Sequence, residues 1–273
     1  MDKILVFIPM YNCEKQITRV LSQFDKEMAN FITEVIVVNN RSTDDGESVV
    51  KKYIESKKCP VKISLLRNDE NYGLGGTHKV SFKYAIKNNF DYAIVLHGDD
   101  QGNIKDILPY LKNGSYKNYD SFLGARFQRG SKLVNYSNFR TFGNKVYNLL
   151  FSIVVHKKIY DLGSGLNMYK VESLKNNYYE KFPDNLVFNY CMVMAIHYYK
   201  QKVSFFPISW REDDQVSNVK MFSQAKKVLS LLFTYFINNE EFMMTDQRNN
   251  INFKYTAKLV VSSNKLKEKA NEK

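Results

Sequence analysis

Cysteine is scarce in this chain: Cys13, Cys59 and Cys191 form an odd set without metal-ligand spacing, which excludes a disulfide framework and a cysteine metal cage. Long apolar runs are missing too. The most apolar late stretch, 228–237, falls far short of the roughly 20 residues a membrane-spanning helix needs. No apolar segment with a cleavage site precedes the first strand pattern, so a reducing, cytoplasmic setting is expected. Internal repeats and clear linkers are also absent.

What is present is enough apolar material for a large core: 44% of 273 residues are hydrophobic, which fits one big α/β domain. The net charge is +12, so an anionic partner is expected, whether nucleic acid, a lipid surface or a phosphorylated substrate. Charge alone does not choose among them.

Short β-branched runs alternate with helical spacing. A strand at 4–8 precedes a helix over 14–28, a strand at 34–38 a helix over 46–57, a strand at 61–66 a helix over 75–88, and a strand at 92–96 a short helix from 103. That alternation predicts a doubly wound, mostly parallel sheet flanked by helices. Ligands bind such sheets at the carboxyl ends of the strands, so 9–14, 39–44 and 97–101 should converge on one crevice. After a strand at 121–125 the rhythm loosens, and a helix over 185–199 and a strand at 203–206 close the core. The catalytic domain is expected over 1–240, with a donor half at 1–125 and an acceptor half at 126–240; residues 241–273 read as a lysine-rich extension, partly disordered.

His97-Gly-Asp-Asp-Gln101 places two adjacent carboxylates just past a strand end, where a hard cation beside a diphosphate needs oxygen ligands. Asp99 is the first candidate metal ligand; a plain Gly-Asp-Asp turn is the alternative. Asn71-Tyr-Gly-Leu-Gly-Gly76 can offer backbone amides to phosphate at a helix start, but it is not a dinucleotide fingerprint.

In order, these segments resemble the family-2 glycosyltransferases of the GT-A fold, and most nearly the polyprenyl-phosphate sugar transferases of the dolichyl-phosphate mannose synthase type. The likeness runs over 4–220. Pro9-Met-Tyr-Asn-Cys-Glu14 matches the opening Pro-x-Tyr-Asn-x-Glu, which implies that Pro9, Tyr11, Asn12 and Glu14 hold base and ribose. Asn39-Asn-Arg-Ser-Thr-Asp44 stands where the family has Asp-Asp-Gly-Ser-x-Asp, giving Asn39, Asn40 and Ser42 as further donor contacts, with two carboxylates replaced by amides. An amide can serve more than one base, and uridine is the first expectation. Gly73 and Gly75 fall in the family's Asn-x-Gly-x-Gly segment, and Asp99 and Gln101 in its Asp-x-Asp-x-Gln, with His97 in the first Asp position. The resemblance implies Mg²⁺ or Mn²⁺ on Asp99, with Asp100 and His97 as further ligands; His97 equally suits a hydrogen bond within the turn.

On the acceptor side, Arg126 in Gly124-Ala-Arg-Phe127, Arg140 and Asn144 occupy the places that hold an acceptor phosphate in polyprenyl-phosphate sugar synthases. An arginine fork suits phosphate because it is planar, paired and always charged; a solvated basic loop is the plainer reading. Asp161-Leu-Gly-Ser-Gly165 resembles the family's turn before an apolar strand, so Asp161 and Gly165 either approach a sugar or shape the turn. In 207–220, Arg211, Ser217 and Lys220 keep the polar positions of a loop that folds over the donor diphosphate, and Trp210 either stacks on a sugar or packs.

The implied activity is inverting transfer of a sugar from a nucleotide-diphosphate sugar to a polyprenyl phosphate or cell-surface glycan, with Asp99, Arg211 and Lys220 catalytic. Hydroxyl acceptors need a base, and 188–191 offers no carboxylate where relatives place one. A phosphate monoester, with a second pKa of about 6, needs none. The rival is transfer to a sugar hydroxyl with Asp161, Asp184 or Asp214 as base. Nucleotidyl transfer would require a Gly-rich, arginine-containing loop after the first strand, where Pro9-Met-Tyr-Asn12 stands instead. Nucleic acid is not an expected partner, since no such motif accompanies the basic charge and tyrosines. The helical pattern over 219–236 sets Phe222, Val228, Leu229, Leu232, Phe233 and Phe236 on one stripe near Lys226 and Lys227; core packing and an anionic bilayer both explain it.

Overall fold

The computed structural model describes residues 1–213 and 221–263, so Asp214, Ser217 and Lys220 lie outside the described residues. In chain order the elements are β1 (Ile4–Met10), α1 (Ile17–Ser22), β2 (Glu34–Asn39), α2 (Gly46–Glu55), β3 (Lys62–Asn68), α3 (Gly73–Lys87), β4 (Tyr92–Leu96), α4 (Leu108–Asn113), β5 (Ser121–Ala125), β6 (Lys132–Val134), α5 (Asn138–Val155), β7 (Leu166–Lys170), α6 (Phe188–Tyr198), β8 (Val203–Pro207), β9 (Ser209–Arg211), α7 (Met221–Ile237), α8 (Asn239–Met244) and β10 (Ala257–Ser262).

Eight strands form one sheet in the order β10-β3-β2-β1-β4-β7-β5-β8, and β6 and β9 form a second, small one. The strands β3, β2, β1 and β4 run parallel, whereas β7 and β10 are antiparallel to their neighbours. Strand alternation separates the two faces. Leu5 and Phe7 of β1 join one core with residues of α3, α6, α7 and α8; Val6 and Ile8 join the other with residues of α1, α2 and α4. Both faces being covered explains why the parallel strands read as continuous apolar runs.

Two sequence expectations need correction. The helix expected over 14–28 is cut to six residues, because Asp25 accepts from the amides of Glu27 and Met28 and diverts the chain into a separate 3₁₀ turn at Met28–Asn30. The expected extension does not begin at 241 either: β10 pairs antiparallel with β3, and Phe242, Met243 and Tyr255 are buried in the core, so 241–263 belongs to the same body. The lysine-rich end from 264 lies outside the described residues. Among the described residues, no helix is long and apolar enough to cross a membrane.

Candidate donor crevice and acceptor cluster

Because β2, β1 and β4 are parallel neighbours, their carboxyl ends deliver 9–14, 39–44 and 97–101 to one crevice. Side chains and amides stitch the three loops together. Asn12, at φ +54°, accepts from the Thr43 amide at 2.8 Å, and its own amide donates to Ser42 at 3.1 Å. The Glu14 amide donates to Asp44 at 2.8 Å, and the Gly98 amide to the Pro9 carbonyl at 3.2 Å. Tyr11 stands exposed at the rim.

Asn39 and Asn40 are buried and already engaged. Asn39 donates to Glu47 at 2.8 Å and accepts from the Ser42 amide at 2.9 Å. Asn40 donates to Asn71 at 2.7 Å and accepts from Asn68 and from the Tyr72 amide, both at 2.9 Å. These amides brace the loops, so base readout through either would require exchange of an existing bond. The glycines are also taken: a side chain on Gly73 or Gly75 would strike the carbonyls of Asp184 or Pro183 at 2.4 and 2.5 Å, and the Gly75 amide donates to the Asp184 carbonyl at 2.8 Å. They serve close packing of the 71–76 turn on the 183–185 segment rather than an open phosphate cradle.

The carboxylates of 97–101 have opposite environments. Asp100, at φ +62° and buried, accepts from Arg19 at 2.6 Å, from Gln23 at 3.2 Å and from Arg211, whose Nε also donates to the Asp100 carbonyl at 2.9 Å. Asp99 accepts from the Gln101 amide at 3.3 Å, and burial pushes its carboxyl up to about 6. His97 is packed behind the crevice: a side chain on Gly165 would meet its ring at 2.7 Å, and burial lowers its pKa to about 4, leaving it neutral. Among the described residues, no three His, Cys, Asp or Glu side chains gather to hold a metal. The expected Asp99, Asp100 and His97 cage is therefore corrected: Asp100 is consumed by cations and His97 by packing. The residues still fit a cation that arrives with a diphosphate, since magnesium commonly takes one carboxylate plus phosphate oxygens and water.

The residues expected to hold an acceptor do meet, around a side chain that sequence spacing did not reveal. Tyr136 lies beneath Arg126 and Arg140, whose guanidinium carbons are 5.8 and 5.0 Å from its ring centroid, and Asn144 donates to its hydroxyl at 3.1 Å. Arg126 is not an open fork, however. It is buried and bound to Asp161 at 2.7 and 2.8 Å; burial opposes its charge, and the Asp161 carboxylate outweighs that and raises its pKa. Asp161 is thereby a counter-ion rather than an acceptor contact. Arg140, at the start of α5 behind the Ser137 cap, contacts Glu212 at 2.5 and 2.6 Å. Trp210 is buried, bridges to Gly102 and sits 5.2 Å from the Arg126 guanidinium, so it packs and joins the cluster to the Asp99 loop.

Asp184, weighed as a base, is buried and bound to Lys79 at 2.7 Å and to Tyr255 at 2.8 Å. Arg19, Gln23, Tyr136 and Glu212 were missed. Arg19 of α1 and Gln23 at its C-terminal cap are four residues apart, but nothing local says that they reach Asp100 about eighty positions on.

This topology, with a carboxylate at the end of β4, is that of the GT-A glycosyltransferases. Staphylococcus aureus TarS residues 1–349, solved with UDP-GlcNAc, align with a TM-score of 0.56 at 21% identity, covering 86% of this chain and 67% of that one. Mycobacterium tuberculosis glucosyl-3-phosphoglycerate synthase, solved with Mn²⁺, UDP and phosphoglyceric acid, gives 0.61 at 13%, covering 87% and 79%. The family model "Glycosyl transferase family 2" matches residues 5–177, and the chain belongs to that family and is a glycosyltransferase. It is 25% identical over 238 residues to the uncharacterized protein MJ0544 of Methanocaldococcus jannaschii, covering 84% of this chain and 99% of that one. It is 29% identical over 141 residues to a dolichol-phosphate mannosyltransferase of Pyrococcus furiosus, covering 50% of this chain and 37% of that one.

Proposed function

We propose that this glycosyltransferase moves a sugar, with inversion, from a uridine-diphosphate sugar to a polyprenyl phosphate at the cytoplasmic face of a membrane. The carrying observation is the contiguity of the two residue sets: Arg126 and Arg140 flank Tyr136, and Trp210 links Arg126 to the loop of Asp99. The P. furiosus relative, named for a lipid-phosphate acceptor, supports the acceptor class. So does the state of two of the three aspartates weighed as base, since Asp161 is bound to Arg126 and Asp184 to Lys79; a phosphate dianion needs no base. Uridine follows the UDP complexes of TarS and the mycobacterial synthase.

In this reading Tyr11 stacks on the base and Asn12, Glu14 and Ser42 shape the ribose side of the crevice. Asp99 would hold Mg²⁺ or Mn²⁺, which supplies charge for the departing diphosphate. Arg211 stands beside that loop through Asp100 and the Gln101 carbonyl, placed to share the same charge. Arg140 orients the acceptor phosphate for in-line attack at the anomeric carbon, over the fixed Arg126–Asp161 pair. The test is transfer from labelled UDP-sugars, with Mn²⁺, to polyprenyl phosphate and to oligosaccharides. Labelled polyprenyl-phosphate sugar of inverted configuration is the expected product; label on sugar hydroxyls alone would replace the acceptor reading with the glycan one.

A further inference from the structure

A buried helix face and an exposed one are equally apolar in α5. Phe151 packs into the core, while Phe139, Phe142, Leu149 and Ile153 follow one another at helical spacing on the outside. Neighbouring α7 repeats the pattern: Val228, Leu232 and Tyr235 face the core, and Phe233 and Phe236 face out. The part of the stripe over 225–236 is thus wider than the core requires. These six outward side chains are between 59% and 68% exposed, too much apolar surface on two adjacent helices for a face that stays in water.

Basic charges outnumber acidic ones around that surface, where Glu240 and Glu241, just past α7, are the exposed acids beside it. Neither helix contains an acidic residue, and exposed Lys145, Lys157, Lys158, Lys226 and Lys227 lie on or directly after the two helices. A second copy docking on this face about a two-fold axis would set lysines against lysines. Aromatic and aliphatic side chains between lysines instead match the interface of an anionic bilayer, where apolar groups enter the acyl boundary and ammonium groups meet headgroups.

We propose that the outward faces of α5 and α7 form one docking surface for an anionic phospholipid bilayer. The same first turns of α5 carry Arg140 and Asn144 inward to the acceptor cluster. Docking through Phe139 and Phe142 therefore sets that cluster at the membrane surface; this last link rests on the lipid-phosphate reading above, whereas the surface itself does not.

The experiment is sedimentation of the full chain with vesicles of phosphatidylcholine, with and without phosphatidylglycerol, at low and high salt. Wild type should bind the anionic vesicles and weaken with salt, and Phe139→Ser with Phe142→Ser should weaken binding roughly tenfold while circular dichroism and UDP binding stay unchanged. Phe142→Trp gives a second readout, because the native Trp210 is buried: brominated lipid should quench the new indole. Absence of binding to anionic vesicles, binding indifferent to the double substitution, or an unquenched Trp would each overturn the proposal. A dimer in sedimentation velocity that the double substitution dissociates would assign the face to a second copy instead. Retained UDP binding in any of these cases leaves the transferase reading standing.

Discussion

The donor crevice and the acceptor cluster hold their polar groups in different ways. In the 9–14 and 39–44 loops of the crevice, amides and turns satisfy one another, as Asn12 does with Thr43 and Asn40 with Asn71, and Asp100 of the third loop is the member held by cations. In the cluster, charge meets charge: Arg126 with Asp161, Arg140 with Glu212. A neutral hydrogen bond contributes about 0.5–1.5 kcal/mol net, so a ligand can exchange several. Removing one partner of a buried ion pair costs about 3–5 kcal/mol, so Arg126 is a fixed floor. Arg140, whose side chain is 34% exposed, is the cation free to turn from its carboxylate to an acceptor.

The sharpest break of this contrast is Asp161→Asn, which leaves the buried Arg126 guanidinium without its counter-charge; denaturant unfolding should report a loss of roughly 3–5 kcal/mol. Next comes Asp99→Asn, expected to weaken manganese-dependent UDP binding roughly a hundredfold without changing the fold. Its pH dependence follows from burial. With the Asp99 carboxyl at about 6, protonation removes the ligand charge as pH falls, so wild-type binding of a UDP-sugar, whose diphosphate does not titrate there, should decline through that pH and the Asn variant should not respond. The smallest effects are on the half-buried pair: Arg140→Ala should lower kcat/KM for a phosphate acceptor roughly tenfold, and Glu212→Gln, which releases Arg140, should raise it slightly. Equal effects of Asp161→Asn and Glu212→Gln on stability would erase the distinction between floor and movable cation.

The strand-helix rhythm, the crevice at three strand ends and the grouping of Arg126, Arg140 and Asn144 were legible because each depends on local periodicity or on short segments such as Pro9 to Glu14. Three features were not. Asp100 looked like a ligand until the fold brought Arg19 and Arg211 to it, and Arg126 looked like an open fork until Asp161 closed on it; both pairings span long sequence separations. Strand β10 was hidden because 257–262 pairs with an edge whose register no local pattern encodes. The outward stripe of α5 was not anticipated, since sequence shows how much of a helix is apolar and not which side finds a core.

Calorimetry of UDP, GDP and CDP with and without manganese, on wild type and Asp99→Ala, tests the donor site most directly. The expected result is manganese-dependent binding of UDP that the substitution removes. Folded wild type that binds none of the three nucleotides would contradict the account.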